Sequence, residues 1–174
     1  MDKMKSISPR CLRPMAASDL EMVLAWRNHP EVRRYMYTQH VITLEEHSRW
    51  FAQAVKNSQR HLLIFELDSI PLGFINIHQN GPGGIADWGF YAAPDAPKGT
   101  GRSLGNAALH YAFFEAGLHK LCAQTLAFNE RSGRYHRTLG FMQEGILRQQ
   151  HYDGVHYHDV LCFGLLAHEW LAQH

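Results

Sequence analysis

This chain of 174 residues is poor in the features that would tie it to a metal, a membrane or a polyanion. Its three cysteines, Cys11, Cys122 and Cys162, are odd in number, far apart and without C-x-x-C spacing, so no disulfide scaffold or zinc framework is expected. They read as reduced, largely buried thiols in a cytoplasmic protein. Charge of either sign is in short supply: 17 Lys and Arg stand against 16 Asp and Glu. A formal net charge of +1 leaves no electrostatic case for binding nucleic acid or an acidic membrane surface. No apolar run reaches membrane-spanning length, and no apolar core follows the first lysines, so neither a span nor a signal peptide is expected. Repeats, low-complexity tracts and charge blocks are missing. The phosphate loop G-x-x-x-x-G-K-[ST] is absent, and Leu104 breaks the dinucleotide pattern G-x-G-x-x-G, with Gly105 one residue too late. ATP and NAD are therefore poor candidates. H-E-x-x-H is absent as well, and although His156 and His158 would share a strand face with His151 nearby, no third ligand has suitable spacing, so no metal is expected.

What is present is a glycine turn opening a helix. Pro97-Lys98-Gly99-Thr100-Gly101-Arg102 precedes the run Ser103 to Leu118, in which Leu104, Ala107, Tyr111, Phe114 and Leu118 recur at helical spacing. The start of a helix offers unpaired N–H groups and the positive end of its dipole, and glycine lets an anion approach the backbone closely. The residues Lys98 to Arg102 are thus candidates to hold a phosphate group.

Length and the lack of any linker predict one domain over residues 1–174. A first strand is expected over Ile7 to Arg13. A capping box at Ser18-Asp19-Leu20-Glu21 predicts a helix through Trp26, and Glu31 to Met36 a short second one. Thr43-Leu44-Glu45-Glu46 is a second capping box, opening a helix with Leu44, Phe51 and Val55 on one side. Strands at Leu62–Leu67 and Leu72–His78 form a hairpin, and Ile85–Tyr91 continues it. After the glycine helix, Leu121–Phe128 should lie parallel to the strand ending at Tyr91, because a crossover helix separates them. A short helix from Asn129 to Leu139 and a last hairpin, Met142–Arg148 with Val155–Leu165, complete the chain. The fold class is α+β: a mixed, mostly antiparallel seven-stranded sheet with one parallel pair and helices on both faces.

This order, with Lys98-Gly99-Thr100-Gly101 at the central strand-to-helix turn and the segment Asn129-Glu130-Arg131-Ser132-Gly133-Arg134-Tyr135-His136-Arg137-Thr138-Leu139-Gly140-Phe141, resembles the GNAT superfamily of N-acetyltransferases. Ala96 stands where that superfamily usually has Gln or Arg. In the amino-terminal half, Trp26-Arg27-Asn28-His29-Pro30-Glu31-Val32-Arg33, Tyr35-Met36-Tyr37-Thr38 and Glu46-His47-Ser48-Arg49-Trp50-Phe51 resemble the branch that acetylates amino sugars carried on nucleotides, most of all in pseudaminic-acid synthesis.

The resemblance implies acetyl-CoA as cosubstrate and transfer to the 4-amino group of a UDP-linked amino-dideoxy sugar. The amides of Lys98, Gly99, Thr100, Gly101 and Arg102 would hold its pyrophosphate, and the strand edge at Phe90, Tyr91 and Ala92, splayed from the next strand, its pantetheine arm. Tyr135 would be the general acid toward the departing thiolate, with Asn129 and Ser132 beside the cofactor. Arg27, Met36, Tyr37 and Trp50 would receive the acceptor, with Arg33 and Arg34 as further contacts for its diphosphate. His78 and Asp87 are both open as general base. Cys122 lacks the neighbours that would activate it as an acetyl relay. A protein N-terminus or a polyamine as acceptor, a silent acyl-CoA-binding module, and pairing of two copies along the final strand also remain open.

Overall fold

The computed structural model describes residues 12–174. Its strands are β1 (Leu12–Pro14), β2 (Arg60–Leu67), β3 (Ile70–Gln79), β4 (Ile85–Ala92), β5 (Lys120–Leu126), β6 (Met142–Tyr152) and β7 (Tyr157–Leu166). They form one sheet in the order β1-β2-β3-β4-β5-β7-β6, antiparallel except for β4 with β5. The helices are α1 (Leu20–Asn28), α2 (Pro30–Arg33), α3 (Leu44–Ala54), α4 (Thr100–His110), α5 (Glu130–Thr138) and α6 (Ala167–Leu171). None is long and apolar enough to cross a membrane. The expected strand at residues 7–11 and Cys11 lie outside the described residues.

Alternation along the strands divides the core in two. Leu63, Phe65, Ile75, Ile77 and Trp88 point to the α4–α5 side, where Leu104, Leu109, Leu139 and Phe163 meet them. Leu62, Ile64 and Phe74 point the other way, onto Val23 and Trp26 of α1 and Ala54 of α3. Each fully buried Leu, Ile or Phe contributes about 1.5–3 kcal/mol. Gly73 belongs to this packing: a Cβ there would run into the Leu104 side chain of α4.

Several expected details differ. The helix after the glycine turn is α-helical only to His110, then opens into a π-type turn over Tyr111–Glu115. The wider turn shifts the phase, so Phe113 is buried and Phe114, expected inside, is 58% exposed. In α3 the capping box is as expected: the Glu46 amide donates to Thr43 Oγ1 at 3.2 Å, and the Thr43 amide to Glu46 Oε2 at 2.7 Å. Its buried face, however, is His47 and Ala54 with Trp50 and Phe51, while Leu44 and Val55 face solvent. Ser18 caps nothing; Asp19 accepts from the Ala16 amide at 2.8 Å and from both ends of the Arg13 fork at 2.7 and 2.9 Å. The final strand β7 lies between β5 and β6, so among the described residues the edge strands are β6 and, at the other end, β1.

Candidate active site

Three residue pairs join β4 to β5: Ile85 with Lys120, Ala86 with Leu121 and Asp87 with Cys122. β3 accompanies β4 onward to Ala92, and β7 accompanies β5 to Leu126. Beyond Asp87 each strand keeps its outer partner and loses its inner one. Phe90, Tyr91 and Ala92 lie on this open edge, where backbone polar groups need partners and an extended ligand bearing amides can supply them. The side chains of Phe90 and Tyr91 leave on opposite faces. Phe90 rests 5.0 Å from the Tyr135 ring. Tyr91 lies 5.2 Å from Phe74 in the other core, and burial pushes its phenol pKa up.

At the end of β4 the chain reaches the glycine turn. Gly99, the N-cap of α4, has φ of 94°, a conformation other residues adopt only with strain. Thr100 turns inward, its amide and Oγ1 both donating to the Pro97 carbonyl at 3.1 and 2.7 Å. The Arg102 amide donates to Gly99 O at 3.1 Å. Among the described residues the amides of Lys98, Gly99 and Gly101 make no backbone hydrogen bond. Three of the five expected donors are therefore free, at a helix N-terminus flanked by the exposed side chains of Lys98 and Arg102.

Asn129 caps α5, its Oδ1 accepting from the Ser132 amide at 3.2 Å. Tyr135 donates its hydroxyl hydrogen to the Gly101 carbonyl at 2.7 Å, and burial pushes its pKa up. That bond ties α5 to the first turn of α4, with Gly105 leaving room for the ring. His136, which carried no expectation, is buried among Trp88, Phe90, Phe141 and Phe163. The signal for it was a polar residue one helical turn after Ser132, on the face that must pack.

On the opposite face Tyr37 donates to Gln124 Oε1 of β5 at 3.0 Å, with its ring 5.2 Å from His151. Arg27 Nη2 donates to the carbonyl of neighbouring Thr38 at 3.0 Å, while its Nη1 is buried without a partner among the described residues. Burial holds this guanidinium below its ordinary pKa. Met36 is half-buried beside Tyr37. Trp50 stacks on His47 at 5.2 Å, meets Phe74 edge-on, and borders a cavity of about 330 Å³ with Gln53, Asn57 and Arg60. Arg34 pairs with Glu31 at 3.1 Å and covers the Tyr35 ring.

His78 and Asp87 oppose each other across β3 and β4. Asp87 accepts from Asn80, and His78 lies 3.4 Å from Asn57. Burial pushes the Cys122 thiol up, the reverse of what an activated nucleophile needs. His158 meets Asp153 at 2.6 Å, its ring 6.4 Å from those of His151 and His156. Among the described residues no three His, Cys, Asp or Glu side chains gather around a metal position.

Residues 10–142 match the model of the acetyltransferase (GNAT) domain family. The acetyltransferase PseH of Campylobacter jejuni is 29% identical over 119 residues, 67% of this chain and 72% of that protein. The spermidine N(1)-acetyltransferase of Vibrio cholerae is 23% identical over 168 residues, 92% of this chain and 94% of that one. A crystal structure of spermidine N-acetyltransferase from Vibrio cholerae in complex with CoA and spermine superposes with a TM-score of 0.85 at 22% identity, over 92% of this chain and 96% of that chain, a likeness of fold.

Proposed function

The chain belongs to the acetyltransferase (GNAT) family as an acetyl-CoA-dependent N-acetyltransferase, and from that premise we propose that it acetylates the 4-amino group of a UDP-linked amino-dideoxy sugar, a step toward pseudaminic acid and flagellin glycosylation. The observation that carries this reading is Arg27. A half-buried guanidinium with one nitrogen unpartnered, next to Tyr37 and Thr38, calls for an anionic acceptor. A diphosphate supplies that anion, and Met36 and Tyr37 offer apolar surface to a deoxy sugar.

The cosubstrate supplies an activated acetyl thioester. In this proposal the free amides of Lys98, Gly99 and Gly101 hold its phosphates, and the open edge at Phe90–Ala92 binds its arm by strand addition and directs an N–H at the thioester carbonyl. Asn129 and Ser132 fix the start of α5 beside it. For Tyr135 to protonate the leaving sulfur, its hydroxyl must turn away from Gly101 O, forfeiting a bond worth about 1 kcal/mol.

A polyamine acceptor is the second reading, favoured by the likeness to a spermidine acetyltransferase across 92% of the chain. The same Arg27 opposes it, since a half-buried cation repels a polycation. Thiol release from acetyl-CoA with the UDP-4-amino sugar, spermidine and a ribosomal-protein N-terminal peptide separates these readings. Release with spermidine and none with the sugar would overturn the proposal. We also propose that two copies pair along β6, whose Met142, Ile146 and Leu147 are exposed; sedimentation as a monomer at micromolar concentration would reject this.

A further inference from the structure

His136 is 3% exposed, and its Nε2 has no partner among the described residues. Its tautomer follows from the other ring nitrogen. The Ser132 carbonyl, 2.8 Å from Nδ1, can only accept, so Nδ1 carries the hydrogen and Nε2 keeps a lone pair. The ring lies 5.7 Å from Trp88 and 5.9 Å from Phe90 on β4, and stacks at 5.4 Å on Phe163 of β7. Phe163 is the register partner of Ala123 on β5. The imidazole therefore bridges from β4 to β7 across the small side chain of Ala123. Pairing of β4 with β5 ends at Asp87 and Cys122, one residue before that level. A buried lone pair thus sits where the two central strands part.

We propose that His136 Nε2 is a catalytic residue of acetyl transfer, taking the proton released by the attacking amine and handing it to the leaving sulfur. The proposal rests on the acetyl-CoA reading above. As the amine nitrogen bonds to the acetyl carbon and the carbon–sulfur bond breaks, one proton passes from nitrogen to Nε2 and on to sulfur. Amine and thioester become amide and thiol, and the imidazole ends as it began. Trp88, Phe90, Phe141 and Phe163 face the ring and do not titrate; Tyr135 is beside it on α5, and Arg137 lies over the far Phe163 ring at 5.3 Å. Burial in this aromatic cage holds the imidazole below its ordinary pKa, so the lone pair is available at neutral pH. Tyr135, by contrast, has its hydrogen engaged on Gly101.

Two measurements on the full chain test this. In the first, CoA is titrated into protein carrying ¹⁵N-histidine while calorimetry follows its binding. The Nε2 resonance of His136 should move and that of Nδ1 should not. In the second, His136→Phe keeps the aromatic packing, and His136→Asn keeps a donor toward Ser132. Both should lose about 100-fold or more in turnover, keep CoA affinity within about threefold, and lose the low-pH limb of the kcat/KM profile. If both variants fold poorly, the resonance arm decides. CoA bound with Nε2 unmoved, or His136→Phe turning over within about threefold of the parent, overturns the proposal. So does a 100-fold loss in Tyr135→Phe with none in His136→Phe. Failure of CoA to bind the parent chain overturns the acetyl-CoA reading, and the proposal falls with it.

Discussion

Replacing Gly105 by Ala sets two opposing effects against each other. In the interior of α4 the change gains about 0.5–1 kcal/mol of helix propensity. Against this, the new Cβ would press on the Tyr135 hydroxyl and stand 2.8 and 3.0 Å from the two Leu139 methyl carbons. Leu139 is buried and Tyr135 is pinned to Gly101, so neither moves aside freely. Overpacking of this kind costs about 1–3 kcal/mol, and breaking the Tyr135–Gly101 bond adds about 1 kcal/mol. The net expectation is a destabilisation of about 1–3 kcal/mol, a fall in Tm of roughly 2–10 °C for a chain of this size. Urea titration and calorimetry measure it. Tyr135→Phe alone should cost about 1 kcal/mol, but in the Gly105→Ala background it should cost less or even stabilise, because the hydroxyl is the obstructing atom. Unaltered stability of Gly105→Ala, or strict additivity of the pair, would refute this account of how α5 docks on α4.

Gly101→Ala should leave the fold intact, since its Cβ would meet only Tyr135 Cε2 at 3.8 Å; acetyl-CoA affinity should nonetheless fall about tenfold by calorimetry, and an unchanged Kd would remove Gly101 from the cradle. Arg27→Met should raise the acceptor KM by about 10–100-fold and leave the acetyl-CoA KM alone in steady-state assays, as expected for loss of charge-assisted contacts to phosphate. Asp19→Asn should lower stability at pH 7 by about 1–3 kcal/mol, read by urea titration. The Arg13 guanidinium, helped by the Ala16 amide, holds the Asp19 carboxyl below its ordinary range. A depressed folded pKa means that its contribution is complete above the unfolded value of about 3.9 and is lost as pH falls through the folded one. The variant should therefore unfold less steeply in acid, below about pH 4.

Local signals were legible in the chain before any fold was known. Thr43 with Glu46, Asn129 with Ser132, and Gly99 at the start of α4 act over three or four residues, and each occupies the place its chemistry demands. The hairpins and the parallel strand after the crossover helix follow from alternation and chain length in the same way. Other outcomes depend on what lies opposite. The π-type turn that exchanges Phe114 for Phe113 and the burial of His47 instead of Leu44 both depend on packing against distant elements. Tyr135 and His136 are neighbours in the chain. Only the docking of α5 directs the Tyr135 hydroxyl onto Gly101 and buries the His136 ring among Trp88, Phe90, Phe141 and Phe163, because helix orientation is decided by side chains far away in the chain.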